Sequence, residues 1–327
     1  MSKRLWARAA LSHSAFTGIS RHHLGRVVAE LAGPWQARRE SWLQERRGRD
    51  QLRAEGAGHP REPFMAYVVN QGSGTVTPFN PRTRRVFKAI KVGCEPQAIA
   101  ITPNGKTAYV VNADSGTVTP INTATRTALK PIKVGTAPDA IAITPDGKTA
   151  YVANDQNRGT VTPINLATNR TERPITVGSM PQAIAITPNG KTAYVVNEGS
   201  VTPIDVATGT PGEKINAITP GYFPTAIAIT PDGTTAYVTS RFESDSTVET
   251  DMPGMMTPIQ TATGTAGNPI QPGANPQAIA ITPDGTTAYV VNWQGPATVT
   301  PVNTATGTRE RPINAGSHPD AIAFTPG

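Results

Sequence analysis

Short segments in which small and β-branched residues alternate recur from about residue 65 to the end of the chain. Two examples are Ala-Ile-Ala-Ile-Thr at residues 98–102 and Ala-Tyr-Val-Val-Asn at residues 108–112. A period of two with β-branched and aromatic enrichment is typical of β-strands, whereas the apolar positions of an amphipathic helix recur every 3.6 residues. The pattern therefore predicts an all-β structure for this part of the chain.

The strand segments belong to a repeat that occurs six times. Its first phrase, Ala-Tyr-Val, begins at Ala66, Ala108, Ala150, Ala193, Ala236 and Ala288, at spacings of 42, 42, 43, 43 and 52 residues. Its second phrase, Pro-x-Ala-Ile-Ala-(Ile/Phe)-Thr-Pro, begins at Pro96, Pro138, Pro181, Pro224, Pro276 and Pro319. Asn-Gly or Asp-Gly pairs such as Asn104-Gly105 favour tight hairpin turns, which need a positive φ. Each repeat therefore predicts four short strands.

Four strands in 42 to 43 residues match the size of one propeller blade. The residues also resemble the YVTN-type β-propeller repeat family, a WD40-like group that includes surface-layer proteins. Its Tyr-Val-Thr-Asn phrase reads Tyr-Val-Val-Asn at Tyr67, Tyr109, Tyr194 and Tyr289, and departs further as Tyr151-Val-Ala-Asn and Tyr237-Val-Thr-Ser. The resemblance covers about residues 65–327 and implies an all-β propeller of six four-stranded blades.

The order of the phrases predicts how such a ring would close. The chain enters the first predicted blade at a second strand, beginning at Ala66, and ends on a first strand at residues 321–325. No Ala-Ile-Ala-Ile-Thr phrase precedes Ala66, so the first blade has no local innermost strand. We expect the C-terminal strand to fill that place, which would remove two exposed strand edges.

Composition divides the chain near Pro63. Residues 1–62 hold 12 Lys/Arg against 6 Asp/Glu, whereas residues 63–327 hold 18 against 17, and the net charge of the chain is +7.

The single Cys94 excludes an internal disulfide framework and a cysteine-built zinc site. No run approaches 18 apolar residues, so no membrane span is expected. Arg8 and His13 interrupt any signal-peptide core, which predicts a cytoplasmic protein; the family resemblance also allows an exported or cell-surface protein with a different start.

In propellers, the loops that enter the innermost strands and the loops between the second and third strands gather on one face around the channel mouth, and that loop face is the predicted ligand site. Its candidate residues are Glu95, Gln97, Asp139, Gln182, Tyr222, Phe223, Asn275, Gln277, Trp293, His318 and Asp320. Variation at these loop positions on a nearly invariant framework is expected of a binding site, and equally of unconstrained loops. The three aromatic residues could form a stacking patch or plug the channel. His318 and Asp320 could form a proton-transfer or metal pair, or His318 could simply be solvated.

The leading functional hypothesis is a non-catalytic scaffold that binds a protein, peptide or small ligand on its loop face, with no cofactor and no metal. Neither Gly-x-Ser-x-Gly nor His-Glu-x-x-His occurs, so two common hydrolase signatures are missing. The enzyme alternative is a lactonase- or lyase-like activity at the channel mouth. It would require His318 and Asp320, or Glu95, to converge.

Residues 1–62 predict a short basic α-helical segment. Ser20 can cap a helix that runs to about Leu31, and Gly33-Pro34 can end it. A second helix would carry five arginines: Arg38, Arg39, Arg46, Arg47 and Arg49. Residues 17–50 resemble the N-terminal helical region of actinobacterial transposases, which implies weak, salt-dependent nucleic-acid binding through these arginines. The alternative is a remnant of a mobile-element fusion or a mis-set start.

Overall fold

The computed structural model describes residues 65–242, 252–293, 297–315, 319 and 321–322. Over these residues the chain forms six antiparallel sheets in sequence order, which we number 1 to 6. The predicted helices of residues 1–62 and their five arginines lie outside the described residues. So do His318, Asp320 and most of the predicted closing strand, and closure of the ring therefore stays a prediction.

The first three sheets come from residues 66–176. Sheet 1 contains β1 (Ala66–Asn70), β2 (Thr75–Asn80), β3 (Arg85–Val86) and β4 (Ile90–Lys91), with a 3-10 turn at Gln71–Ser73. Sheet 2 contains β5 (Pro96–Ile101), β6 (Thr107–Asn112), β7 (Thr117–Asn122), β8 (Thr127–Ala128) and β9 (Ile132–Lys133). Sheet 3 contains β10 (Pro138–Ile143), β11 (Thr149–Asn154), β12 (Thr160–Asn165), β13 (Arg170–Thr171) and β14 (Ile175–Thr176).

The other three sheets come from residues 183–314. Sheet 4 contains β15 (Ala183–Ile186), β16 (Thr192–Asn197), β17 (Ser200–Asp205) and β18 (Thr210–Pro211). Sheet 5 contains β19 (Tyr222–Ile229), β20 (Thr235–Phe242), β21 (Met255–Gln260) and β22 (Thr265–Ala266). Sheet 6 contains β23 (Pro276–Ile281), β24 (Thr287–Asn292), β25 (Thr298–Asn303) and β26 (Ile313–Asn314).

Within sheets 2 to 6, strands pair in sequence order, and the outermost position is short and interrupted. In sheets 2 and 3 it consists of two segments that both pair with the third strand. The first strands of neighbouring sheets contact one another in the order β5, β10, β15, β19 and β23. We call these five the inner strands. The sheets therefore follow each other with the Ala-Ile-Ala-Ile phrase inside, as the repeat predicts.

The core lies between consecutive sheets and is built from the second and third strands. Val110, Val152, Val195, Val238 and Val290 occupy equivalent positions on the second strands and are completely buried. At roughly 25 cal/mol per Å² of apolar surface, repeated burial of valines and isoleucines is the main stabilising term. Because each cluster draws on two adjacent sheets, the sheets stabilise each other in pairs.

In sheets 1 to 5, the tyrosine of the Tyr-Val phrase links its sheet to the next one. The hydroxyl of Tyr109 donates to Asn169 Oδ1 of sheet 3 at 2.8 Å, and that of Tyr237 donates to the carbonyl of Thr304 in sheet 6 at 2.8 Å. Tyr67, Tyr151 and Tyr194 reach the same turn of their next sheet in the same way. Burial also raises the pKa of these tyrosines. The phrase is therefore an inter-sheet hydrogen bond repeated around the fold.

The asparagine that ends the phrase contacts the glycine of the Val-Gly pair that precedes it, which explains their constant spacing. Asn154 is completely buried, its Nδ2 donates to Thr162 Oγ1 at 3.0 Å, and its Oδ1 accepts from the backbone N–H of Gly135 at 3.1 Å. A Cβ on Gly135 would lie 2.4 Å from Asn154 Cγ, so only glycine fits there. Sheet 5 lacks this contact because Ser240 replaces the asparagine, although the glycine is kept in Pro220-Gly221.

Sheet 1 has four strand segments but no described inner strand. Its β1 corresponds to the second strands of the other sheets, and it pairs only with β2 among the described residues. Val68 on β1 is 47% exposed, whereas the equivalent Val110 is 0% exposed. One side of β1 is thus the place that the predicted C-terminal strand would occupy.

Candidate functional site

The chain enters every inner strand at the same end of the sheets, which we call the entrance face. The residues that follow the conserved proline at this face are Gln97, Asp139, Gln182, Thr225 and Gln277. In sheets 2, 3, 5 and 6 the ladder shifts register at this residue, as between Pro138 and Ala140. A bulge redirects a side chain away from the regular ladder. The fold therefore presents these five residues at equivalent positions, one per sheet, and all of them except Thr225 were predicted site residues.

The residue before the proline is held in a strained backbone conformation. Glu95, Ala137, Met180 and Asn275 have φ values of 48°, 46°, 42° and 52°. A left-handed φ is unfavourable for residues with a Cβ, and such strain is concentrated at functional sites and tight turns. Because sheets 2, 3, 4 and 6 share this conformation, it is a feature of the repeated backbone rather than of one particular site. Two predicted site residues, Glu95 and Asn275, are oriented by it.

A second set of residues at the entrance face was missed by the sequence reasoning. Each immediately follows the last residue of a second strand, and its backbone N–H donates to the linker that leads into the inner strand. The bonds are Ala113 to Glu95 O (2.9 Å), Asp155 to Ala137 O (2.8 Å), Glu198 to Ser179 O (2.9 Å) and Trp293 to Asn275 O (3.0 Å). Of these four donors, only Trp293 was predicted. The available signal was the variation that directly follows the conserved Tyr-Val-x-Asn phrase.

Acidic groups concentrate where sheets 3 and 4 meet this face. Burial, together with the negative charge of Asp155, raises the pKa of Asp139 to about 6. Burial also raises the pKa of Asp155, with a smaller contribution from Glu198, while the hydrogen bond from Gln182 opposes that rise. Gln182 Nε2 donates to Asp155 Oδ2 at 3.2 Å across the boundary between the sheets. Asp139 and Asp155 are both half-buried.

No described cation neutralises these two carboxylates. The one ion pair between described side chains joins Lys148 to Asp146 at 3.3 Å, at the opposite end of sheet 3. Among the described residues, no three His, Cys, Asp or Glu side chains are grouped so that they could hold a metal ion. The Asp139 and Asp155 pair is therefore a partly desolvated site of negative charge, which favours either a proton or a bound cation.

The three predicted aromatic residues, Tyr222, Phe223 and Trp293, have different surroundings. Tyr222 is half-buried and packs edge-on against Phe242, with ring centroids 5.4 Å apart at an interplanar angle of 78°. Phe223 pairs in register with Arg241 because β19 and β20 are each two residues longer than the inner hairpins of sheets 2 and 6. Trp293 is 39% exposed. Tyr222 thus stabilises the long hairpin of sheet 5, and Phe242 and Trp293 leave aromatic surface accessible.

The remaining predicted residues make local contacts. Gln277 Nε2 donates to Asn275 Oδ1 at 2.8 Å, and the hydroxyls of Thr225 and Thr239 are hydrogen-bonded at 2.9 Å. Both pairs lie within a single sheet. Asp155 and Gln182, by contrast, connect two sheets through their side chains at this face.

Solved structures give an independent view of the architecture. Hydrazine synthase from Kuenenia stuttgartiensis is 28% identical, with a TM-score of 0.65 and coverage of 72% of each chain. A 6-phosphogluconolactonase-like protein from Bacteroides uniformis is 20% identical, with a TM-score of 0.64 over 80% of this chain and 84% of that one. Both have propeller-type folds. The chain is a β-propeller.

A third similar structure is a protein of unknown function from Desulfotomaculum acetoxidans, 21% identical, with a TM-score of 0.64 over 76% of this chain and 78% of that one. No protein-family model and no curated protein sequence matches the chain. In the part of the propeller that the structure describes, no helix has the length and apolar character needed to cross a membrane.

Proposed function

We propose that this protein is a non-catalytic propeller of the YVTN type that binds a cationic ligand, a small molecule or a peptide, at its entrance face. The observation that carries the proposal is the pair of carboxylates at the junction of sheets 3 and 4. Asp139 and Asp155 oppose each other electrostatically, and no described basic side chain compensates them. Bringing two like charges together is unfavourable unless a proton or a cation joins them.

The surroundings favour a ligand that is more than a bare ion. Gln182 supplies an amide next to Asp155, and Glu198 adds a third carboxylate on the neighbouring sheet. Exposed aromatic surface from Phe242 and Trp293 lies on the same face in sheets 5 and 6. An amine or guanidinium would be held by the carboxylates, and an apolar or aromatic portion could lie against the aromatic rings.

The YVTN assignment is supported by the structural role of its phrase. The tyrosine links adjacent sheets and the asparagine fixes the linker into the inner strand. The residues that directly follow these contacts, such as Asp155 after Asn154, differ from one repeat to the next. This arrangement is a repeated scaffold on which a binding site is carried by loops.

Amine ligands and their N-acetylated, neutral forms provide a direct test. We expect an arginine- or lysine-containing peptide to raise the melting temperature of the protein, and its acetylated form to leave it unchanged. At a ligand concentration 100 times Kd the stabilisation would be about 2.7 kcal/mol. Asp155→Asn should weaken binding, whereas Asp114→Asn, on an exposed loop of the same face, should not. Equal shifts for charged and neutral ligands, or an unchanged affinity in Asp155→Asn, would exclude the proposal.

The second candidate function is a lactonase- or lyase-like enzyme. Its support is Asp139, because a carboxyl with a pKa of about 6 can accept a proton near neutral pH. The likeness to the 6-phosphogluconolactonase-like protein supports the fold alone. Hydrolysis of a panel of lactones that is lost in Asp139→Asn and retained in Asp114→Asn would favour the enzyme over the scaffold.

A further inference from the structure

The positive charge of the described propeller is concentrated on sheets 1 and 2. Residues 65–133 contain nine Lys/Arg against two Asp/Glu, whereas residues 134–327 contain nine against fifteen. All nine basic side chains of sheets 1 and 2 are exposed. We call them the basic sector: Arg82, Arg84, Arg85, Lys88, Lys91, Lys106, Arg126, Lys130 and Lys133.

The two acidic residues of these sheets, Glu95 and Asp114, lie on the entrance face. The turns that carry Arg82, Arg84, Lys106 and Arg126 lie at the other end of the strands, which we call the back face. Sheet 3 shows the contrast, because Lys148 on its back face is paired with Asp146. In sheet 2 the residue equivalent to Asp146 is Asn104, so the equivalent Lys106 has no such partner.

Two arginines of the basic sector occupy a turn position that elsewhere belongs to glycine or asparagine. Arg84 and Arg126 have φ values of 58° and 57°, and the equivalent residues in sheets 3 to 6 are Asn169, Gly209, Gly264 and Gly307. Glycine takes a left-handed φ without penalty, and asparagine tolerates it better than arginine does. Sheets 1 and 2 therefore carry arginine where the backbone favours a smaller residue.

Two guanidinium groups of the basic sector pack against one aromatic ring. Arg126 of sheet 2 lies 4.4 Å from the ring centroid of Phe87 in sheet 1, and Arg85 lies 5.0 Å from it. The outer strands β4 and β8 of the two sheets also contact each other. Cation–π contacts restrain both side chains at the sheet boundary and join the charges of two sheets into one surface.

We propose that the basic sector is a binding surface for the phosphodiester backbone of nucleic acid. Arginine guanidinium groups match phosphate oxygens in pairwise hydrogen bonds, and a surface with no base-reading element binds phosphates without sequence preference. The charges continue from the back-face turns onto the outer strands, where Lys91 and Lys133 lie. A flexible or helical polymer can follow such a bent surface, whereas a flat bilayer would meet only one side of it.

Few large apolar side chains are exposed among the described residues of this region. Among the described large hydrophobic residues of sheets 1 and 2, Val86 and Leu129 are the exposed ones on the outer strands. Membrane insertion uses a contiguous apolar face beside the charges, so the basic sector fits a polyanion better.

Fluorescence anisotropy with two unrelated 20-base-pair DNA duplexes across a salt series tests the proposal on the full chain. We expect equal binding of both duplexes, weakening as salt rises. The Arg84→Gly/Arg126→Gly double variant should bind about tenfold more weakly at low salt and lower the slope of log K against log salt by about 1.8. Glycine relieves the left-handed backbone strain at both turns, which offsets the loss of the Arg126–Phe87 contact, so this variant should melt close to the wild type.

Further variants test whether the loss of DNA binding is specific to the basic sector. Arg170→Ala/Lys191→Ala removes the same charge from sheets 3 and 4 and should leave binding within about twofold. An equal loss in this variant would overturn the proposal, as would no binding at low salt. Binding lost only when Arg38, Arg39, Arg46, Arg47 and Arg49 are replaced would assign it to residues 1–62 instead. Binding to phosphatidylserine vesicles with none to DNA would also overturn it.

Discussion

Asp139→Asn should stabilise the propeller at neutral and alkaline pH. Burial and Asp155 raise the pKa of Asp139 to about 6, compared with about 3.9 for an unfolded aspartate. Because the folded-state pKa lies above the unfolded one, ionisation of Asp139 opposes folding. That penalty is absent below pH 4, grows between pH 4 and 6, and is fully present above pH 6. A pKa shift of about two units corresponds to at most about 3 kcal/mol. Because the side chain is partly exposed, we expect a penalty of about 1–3 kcal/mol.

Urea denaturation of wild type and Asp139→Asn at pH 4.5, 6 and 8 measures this penalty. We expect the variant to gain about 1–3 kcal/mol in unfolding free energy at pH 8 and little at pH 4.5. Asp114→Asn, at an exposed residue of the same face, is the matched control. A pH-independent gain, or a variant that is less stable at pH 8, would refute the electrostatic account. A natural sequence that keeps this carboxylate is consistent with a stability cost retained for binding.

Three further substitutions test the framework. Gly135→Ala should cost about 2–4 kcal/mol in urea denaturation, because its Cβ would lie 2.4 Å from Asn154 Cγ and displace a buried hydrogen bond. Tyr237→Phe should cost about 1 kcal/mol through loss of its 2.8 Å bond to sheet 6, measured in the same way. Closure by the C-terminal strand predicts that Val68→Ala costs as much as Val110→Ala in thermal melting, and a cost below a third of it would argue that β1 is an open edge.

Matched controls separate these effects from general fragility. Gly72→Ala adds a Cβ with no atom within 4 Å and should change stability by less than about 0.5 kcal/mol. Tyr67→Phe removes a longer bond of 3.4 Å and should cost less than Tyr237→Phe. If the two tyrosine variants lose equal stability, the inter-sheet hydrogen bond is not the source of the effect.

The architecture was predictable because its signals are local and repeated. Alternating residues, Asp-Gly or Asn-Gly turns and a 42- to 43-residue period each specify strands and hairpins without reference to distant residues. The structure confirms an all-β fold of six sheets and places the five post-proline residues at one end of the strands. The ring closure depends on the last residues of the chain, and it stays a prediction.

The candidate site was only partly predictable. Asp139 and Gln182 follow a recognisable proline and were predicted. Asp155 was not, although its loop between the second and third strands was expected on the same face. Its approach to Asp139 arises from a backbone bond to Ala137 that closes the loop. The basic sector was missed because its residues, such as Arg84 and Arg126, lie in different repeats. Their charge was counted only in the nearly neutral total of residues 63–327, which hold 18 Lys/Arg against 17 Asp/Glu.

By itself, the sequence determined the strands, their order and the number of repeats, because backbone hydrogen bonding and turn geometry act over a few residues. The tertiary structure decided which variable residues share a neighbourhood. It brought Asp155 to Asp139 and Gln182, and it placed Arg126 of one sheet on Phe87 of another. Electrostatic interactions and desolvation depend on distances between residues far apart in sequence, so the charge of each surface appears only once the sheets are packed.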